Sequence, residues 1–221
     1  MPVTALHLPR VVSISWPGMV TSGHDDAVDI TLRSYETAAQ RYADQSAGPG
    51  PASCAFLDRF ADTVGQGRVL EIGRGPGMDA TYLEGRGLSI SRTDATPAFV
   101  EMIRAAGHEA RVLDVRTADL GGPWDAVLAQ AVLLHLDRGQ FADALQRIRQ
   151  AVVDGGVFAF TLKEGDGDAW SKAKLDLPRY FSYWREPPLR HVLAQTHWDV
   201  ISIDRVAGRL EPWLFVMARA A

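Results

Sequence analysis

The sequence predicts an α/β protein: a largely parallel sheet covered by helices on both faces and finished by an antiparallel pair of strands. Three observations carry this. Short apolar runs alternate with amphipathic stretches from residue 68 to about residue 163, the pattern of strand–helix–strand units. The first apolar run, in "RVLEIGRGPGMDATYLE" (68–84), is followed by three glycines in five positions, Gly73, Gly75 and Gly77. Finally, "WDVISIDRV" (198–206) and "EPWLFVMAR" (211–219) are strand-like runs joined around Gly208 by a connection too short for a crossover helix, so this pair must be antiparallel.

The elements follow in order. In "VDITLRSYETAAQRY" (28–42), Val28, Leu32, Tyr35, Ala39 and Tyr42 recur at steps of four and three, which predicts one amphipathic helix. "SAGPGP" (46–51) breaks it, and a second helix covers "ASCAFLDRFADTV" (52–64). Val69 to Ile72 form a short buried strand; beyond the glycines a helix runs to Glu84 and stops at Gly85 and Gly87. "LSISR" (88–92) is the second strand. Thr96 at the cap, Pro97 in the first turn and Gly107 as the stop bound the next helix. "ARVLD" (110–114) and "WDAVLAQA" (124–131) carry the third and fourth strands. Phe141, Leu145, Ile148 and Val152 form one helical face closed by Gly155–Gly156, and "VFAFTL" (157–162) is the fifth strand.

Length and composition suit one domain with a sizeable core: 221 residues, 47% of them hydrophobic. The predicted organisation is a flexible leader over residues 1–27 and one domain over 28–221. Within it, residues 28–50 act as an N-terminal lid and 163–193 as an insert on the substrate side. Met19 is a candidate start of the chain, because recognisable helix begins only after it. "RVVSISWPGMV" lacks the basic region and cleavage site of a signal peptide. With 23 basic and 27 acidic residues the net charge is −4, and no basic run marks a nucleic-acid backbone as the main partner. A single cysteine, Cys54, forms no internal disulfide, and no Cys/His cluster offers a metal site, so a reducing, cytoplasmic setting without a required metal is expected.

Glycines after the first strand of a parallel sheet let a ligand approach the main chain at the carboxyl ends of the strands. Two ligand classes suit such a loop, a dinucleotide and an adenosyl group. Counted from Gly75, "GPGMDA" satisfies the dinucleotide pattern, and Asp94 lies at the right distance to bind a ribose in either case. Glu71 at the strand end would repel a pyrophosphate, and the antiparallel final pair departs from an all-parallel dinucleotide sheet.

"VLEIGRGPG", Asp94 after the second strand, Asp114 after the third and the terminal strand pair together resemble the class I S-adenosylmethionine-dependent methyltransferases, over roughly residues 28 to 221. The "KEGDG" and "PRYFSYW" segments strengthen the similarity to small bacterial members. The resemblance implies a Rossmann-like, seven-stranded sheet whose seventh strand is antiparallel, with S-adenosylmethionine as cofactor. It implies that Glu71 accepts, through water, from the ammonium of the methionine moiety, which lies against Gly73, Gly75 and Gly77. Asp94 takes the ribose hydroxyls, Ala95 and Thr96 flank the adenine, and Asp114 accepts the adenine amino proton beside the Val115 amide. Gln130 and Ala131 lie under the sulfonium. Relatives often carry a small residue where this chain has Arg74, whose guanidinium would meet the ligand carboxylate or solvent. Tyr35 and Tyr42 would close over the cofactor, or pack in the core.

His135, in "AVLLHLD" (131–137), is the candidate general base, with structural packing as the alternative; His191 and His197 read as surface or packing residues. In the insert, Trp170, Tyr180, Tyr183 and Trp184 could wall an acceptor pocket or cover the sheet edge, and Lys163 and Arg179 could orient a polar or anionic substrate. The expected activity is methyl transfer to a small molecule. Methylation of protein or RNA is the competing enzymatic reading; a nicotinamide-dependent oxidoreductase and a non-catalytic nucleotide-binding module are the others.

Overall fold

The computed structural model describes residues 26–46 and 48–221. The leader through residue 25, the start at Met19 and the signal-peptide question therefore lie outside the described residues.

Helices α1 (Ala27–Thr37), α2 (Ala39–Asp44) and α3 (Pro51–Val64) precede strand β1 (Arg68–Glu71). Then come α4 (Asp79–Glu84), β2 (Ser89–Asp94), α5 (Pro97–Ala105), β3 (Ala110–Val112) and β4 (Trp124–Ala129). A short 3-10 turn, Leu133–His135, leads into α6 (Arg138–Ala151) and β5 (Val152–Lys163). The chain ends through β6 (Asp168–Ser171), β7 (Arg179–Ser182), α7 (Glu186–Gln195), β8 (Trp198–Val206) and β9 (Trp213–Ala220).

Seven strands form one sheet in the order β3-β2-β1-β4-β5-β9-β8. The first five are parallel, and β9 runs antiparallel between β5 and β8. This is the Rossmann-like, seven-stranded arrangement expected from the sequence. Alternation along the strands feeds two cores. Val69 of β1 faces one core, with Phe56, Leu57 and Phe60 of α3; Leu70 faces the other, with Phe141, Leu145 and Ile148 of α6. A strand buried on both faces lacks polar residues at every second position, and in "VLEI" the one polar residue, Glu71, is itself buried. Asp137 caps α6 through a reciprocal pair with Gln140.

Four details depart from the sequence-based expectation. The first helix is two, broken at Ala38, whose φ of −116° leaves the helical region. The turn brings Tyr35 and Tyr42 edge to face at 5.2 Å, so packing overrides the good helix formers around it. Val152, expected on the apolar face of α6, opens β5 instead. Gly155 and Gly156, expected to end α6, lie inside β5, where the pairing with β4 changes register. A side chain on Gly156 would meet Val152 Cγ1 at 2.4 Å, so the glycine is required by close packing within the irregular strand. Finally, the insert contains an antiparallel β6–β7 hairpin, pairing Trp170 with Tyr180. The Ser34 hydroxyl donates to the Pro178 carbonyl (2.7 Å) and the Tyr180 amide to Thr31 Oγ1 (3.0 Å), which ties α1 to this hairpin.

Candidate active site

Beyond β1 the chain turns sharply. Gly73 and Gly75 take φ of +66° and +54°, which glycine adopts without the penalty a side chain incurs. The two are needed for different reasons. A Cβ on Gly73 would lie 2.4 Å from Val132 Cγ2, whereas one on Gly75 meets only Tyr42 Cε1, at 4.0 Å. The first glycine packs the loop against the segment after β4, and the second keeps main chain bare beside a cavity. That cavity holds about 330 Å³ and lies at the carboxyl ends of β1 to β4, overhung by α1 and α2.

Tyr35, Tyr42, Gly73, Arg74, Gly75, Gly77, Asp94, Ala95, Thr96, Asp114, Val115, Gln130, Ala131 and His135 all line it. Asp94 is buried at the tip of β2; one carboxylate oxygen accepts from the Gly75 amide (2.6 Å) and the other from the Thr96 amide (2.8 Å). Burial raises its pKa and these amides oppose the shift. Asp114 also faces the cavity, but both of its oxygens accept from Arg116. Arg116 reaches Asp26 and Asp29 as well, at 2.7 Å each, so a single guanidinium ties the start of α1 to the loop after β3. Gln130 donates to Asp79 Oδ2 (2.7 Å). Ala131 holds a positive φ of 55°, and its amide donates to the Thr161 hydroxyl (2.9 Å).

Glu71 lies off the cavity surface. Arg74, although it lines the cavity, is turned away from solvent: its Nε lies 3.6 Å from Glu71 Oε2, with both side chains almost fully buried. Neither atom has a hydrogen-bond partner among the described residues. Burial, with the nearby Asp79 charge, lifts the Glu71 pKa to about 8, although Arg74 and Arg92 pull the other way. At 3.6 Å and without a hydrogen bond, the pair does not offset the desolvation of the carboxylate.

His135 is buried, and its two nitrogens have different partners. Nδ1 lies 2.6 Å from the Tyr180 carbonyl, which can only accept, so Nδ1 carries the proton. Nε2 therefore accepts from the Tyr35 hydroxyl (3.0 Å), which in turn accepts from Arg179 Nη1 (3.2 Å). Burial takes the His135 pKa down to about 4, helped by the Arg179 and Lys163 charges and opposed by the Tyr180 carbonyl. An unfolded chain takes up this proton near its ordinary value of about 6.5, whereas the folded chain refuses it until about 4. The folded state thus keeps its full advantage above about pH 6.5 and loses it as pH falls towards 4, by on the order of 3 kcal/mol. A His135→Asn variant lacks this titration. The stability difference between wild type and variant should shrink by that amount between pH 7 and pH 4 in denaturant titrations; a constant difference would contradict it.

The insert residues named from the sequence do not line the cavity. Lys163 pairs with Glu211 and sits 4.0 Å above the Phe181 ring. Trp170 packs edge to face on Tyr180. Tyr183 lies against Gly165, and Trp184 is buried between Phe141 and the Arg138 guanidinium. Arg179 stands behind Tyr35. The insert's contribution to the cavity is instead Lys174, in a stretch, "SKAKLDL", that carries no local motif. Among the described residues no group of three or more His, Cys, Asp or Glu is placed to hold a metal ion, and no helix is long and apolar enough to cross a membrane.

Comparison with known proteins places this geometry. The methyltransferase-domain family profile matches residues 43–211. A curated relative from Staphylococcus carnosus, named only as an uncharacterized methyltransferase, is 27% identical over 134 residues, which is 58% of this chain and 60% of that protein. Among solved structures, the 1,6-didemethyltoxoflavin-N1-methyltransferase of Burkholderia thailandensis, with 1,6-didemethyltoxoflavin and S-adenosylhomocysteine bound, superposes with a TM-score of 0.73 at 18% identity, covering 91% of this chain and 93% of that one. A DhpI–SAM–HEP complex gives 0.73 at 23% identity, covering 90% and 100%. The [4+2]-cyclase SpnF gives 0.65 at 14% identity, covering 85% and 93%, so this fold is not confined to methyl transfer. At these identities the structures establish the fold, and the profile match over most of the chain establishes the family: the protein belongs to the methyltransferase-domain family.

Proposed function

We propose that the protein transfers the methyl group of S-adenosylmethionine to a small-molecule acceptor. The observation that carries this is Asp94: a buried carboxylate at the tip of β2, facing the cavity, and locked by the amides of Gly75 and Thr96 in a fixed orientation. Each oxygen keeps acceptor capacity for a ribose hydroxyl. The cofactor also fits the site in two other respects. Bare main chain at Gly75 leaves room for its amino-acid tail, and behind that loop Glu71 Oε2 is a buried oxygen without a hydrogen-bond partner, which a water could link to the tail's ammonium. The bound cofactor supplies an activated methyl on a sulfonium.

The chain's own residues align and exclude water. Ala95 and Thr96 flank the adenine. Asp114, held by Arg116, faces its amino edge beside Val115, and Gln130 and Ala131 approach the sulfonium. His135 serves the acceptor through Tyr35: the acceptor's proton moves to the Tyr35 oxygen as the Tyr35 proton moves to Nε2, and the phenol stays neutral with Arg179 donating to its oxygen. With a pKa of about 4, the imidazole holds the proton only while the methyl moves. A small acceptor is supported by the enclosure of the cavity under α1, α2 and Lys174, and by the small molecule bound in the Burkholderia enzyme. The single cysteine suits a reducing, cytoplasmic setting.

Incubation with isotopically labelled S-adenosylmethionine and pools of small acceptors should yield products heavier by one methyl, detected by mass spectrometry. Transfer to RNA or protein with no small-molecule product would reject the acceptor class. Thermal stabilisation by NADH and not by S-adenosylhomocysteine would reject methyl transfer itself.

A further inference from the structure

We propose that Lys174, backed by Arg179, forms an oxyanion-binding site in the cavity wall. It rests on the methyl-transfer reading only in taking this cavity to be the reaction site.

Most arginines of the fold pair with carboxylates, but these two cations have none among the described residues. Lys174 lines the cavity at a φ of +74°, a conformation that a lysine adopts only when its surroundings enforce it. They do. Leu175 is fully buried, Arg41 donates to the Leu175 carbonyl (2.8 Å), and the Asp176 amide donates to the Lys172 carbonyl (2.8 Å). The connection between β6 and β7 is thereby pinned to α2. Its ammonium rests 3.6 Å from the centre of the Tyr42 ring and 3.2 Å from the Ser46 hydroxyl. Both contacts orient it, and neither neutralises it.

Arg179 is 7% exposed; it donates to the Tyr35 hydroxyl and the Ala173 carbonyl, and its Nε is buried without a partner. Desolvation and the neighbouring Arg179 charge both lower the Lys174 pKa, as expected for two cations held together without a counter-ion. A carboxylate-type oxygen in the cavity would offset that cost. Two sources carry this chemistry: the amino-acid carboxylate of the cofactor and an oxyanion on the acceptor.

Calorimetry on wild type and Lys174→Met separates them. If the cofactor carboxylate is held, Lys174→Met weakens S-adenosylhomocysteine by about ten- to a hundredfold and leaves 5′-deoxy-5′-methylthioadenosine, which lacks the carboxylate, unchanged. If the acceptor is held, S-adenosylhomocysteine is unaffected, and benzoate stabilises the cofactor-saturated wild type but not the variant. Equal weakening of both nucleosides, or no change in either arm, overturns the site. Arg179→Gln should weaken the same response, and Arg179→Lys, which keeps the charge behind Tyr35, should preserve it. Failure of wild type to bind S-adenosylhomocysteine at all would sink the methyl-transfer reading before any variant is made.

Discussion

Asp94→Ala lowers affinity for S-adenosylhomocysteine by about two orders of magnitude or more. Two hydrogen bonds from ribose hydroxyls to a carboxylate contribute about 1.5–3 kcal/mol each, and every 1.4 kcal/mol is about tenfold in affinity. The substitution also leaves the Gly75 and Thr96 amides without their acceptor. Buried donors left unpaired cost about 1–3 kcal/mol each, so the protein is destabilised as well as weakened in binding. Asp94→Asn separates the two effects. Its amide oxygen still accepts from one main-chain amide, so the fold suffers less, but it has lost the charge that makes ribose recognition strong. Calorimetry on both variants reads this, and affinity within about twofold of wild type for Asp94→Ala would refute the assignment.

Gly73→Ala has the second large effect, on stability. Its φ of +66° costs an L-residue about 1–2 kcal/mol. The added methyl would stand 2.4 Å from Val132 Cγ2 and 2.9 Å from Cγ1, contacts that nothing in a packed segment relieves without movement. Overpacking of this kind costs about 1–3 kcal/mol. The sum, about 2–5 kcal/mol, corresponds to a fall of roughly 4–20 °C in Tm for a chain of this size. Val132→Ala should recover the steric part and leave the backbone part. The double variant is therefore less destabilised than the two single losses added together. A Gly73→Ala protein that melts with wild type would show that the loop is not held as described.

The contrast between these residues explains what could be read from the sequence. Gly73, Gly75, Asp94 and Asp114 were legible because period, glycine spacing and strand ends are local signals, and the same signals laid out the parallel strands and the antiparallel ending. Ala38 was not legible as a break: alanine favours helix, and the turn there is set by the meeting of Tyr35 and Tyr42. The β6–β7 hairpin was hidden in a stretch rich in charge and aromatics, where alternation is weak. Arg74 beside Glu71 depends on how sharply the glycine loop turns, and Lys174 in the cavity wall on where the β6–β7 connection passes in space. For the insert aromatics the sequence left two readings open, and packing is the one seen in the fold. Trp184 and Tyr183 carry the look of a ligand wall, yet they pack on Phe141, Arg138 and Gly165. Aromatic composition alone does not distinguish a pocket from a core.

His135 illustrates how geometry refines a role. From the sequence it is a base beside the reacting atoms; in the fold its basic nitrogen is covered by the Tyr35 hydroxyl, so any proton must arrive through that phenol. Its position after β4 was legible, whereas its partners come from α1 and β7, more than forty residues away in either direction.

The most direct measurement is a crystal structure of the full chain with S-adenosylhomocysteine. It should show both ribose hydroxyls on the Asp94 carboxylate and the amino-acid tail against Gly75. A nucleoside bound in any other cleft, or a ribose that does not touch Asp94, would contradict the assignment on which the proposed chemistry stands.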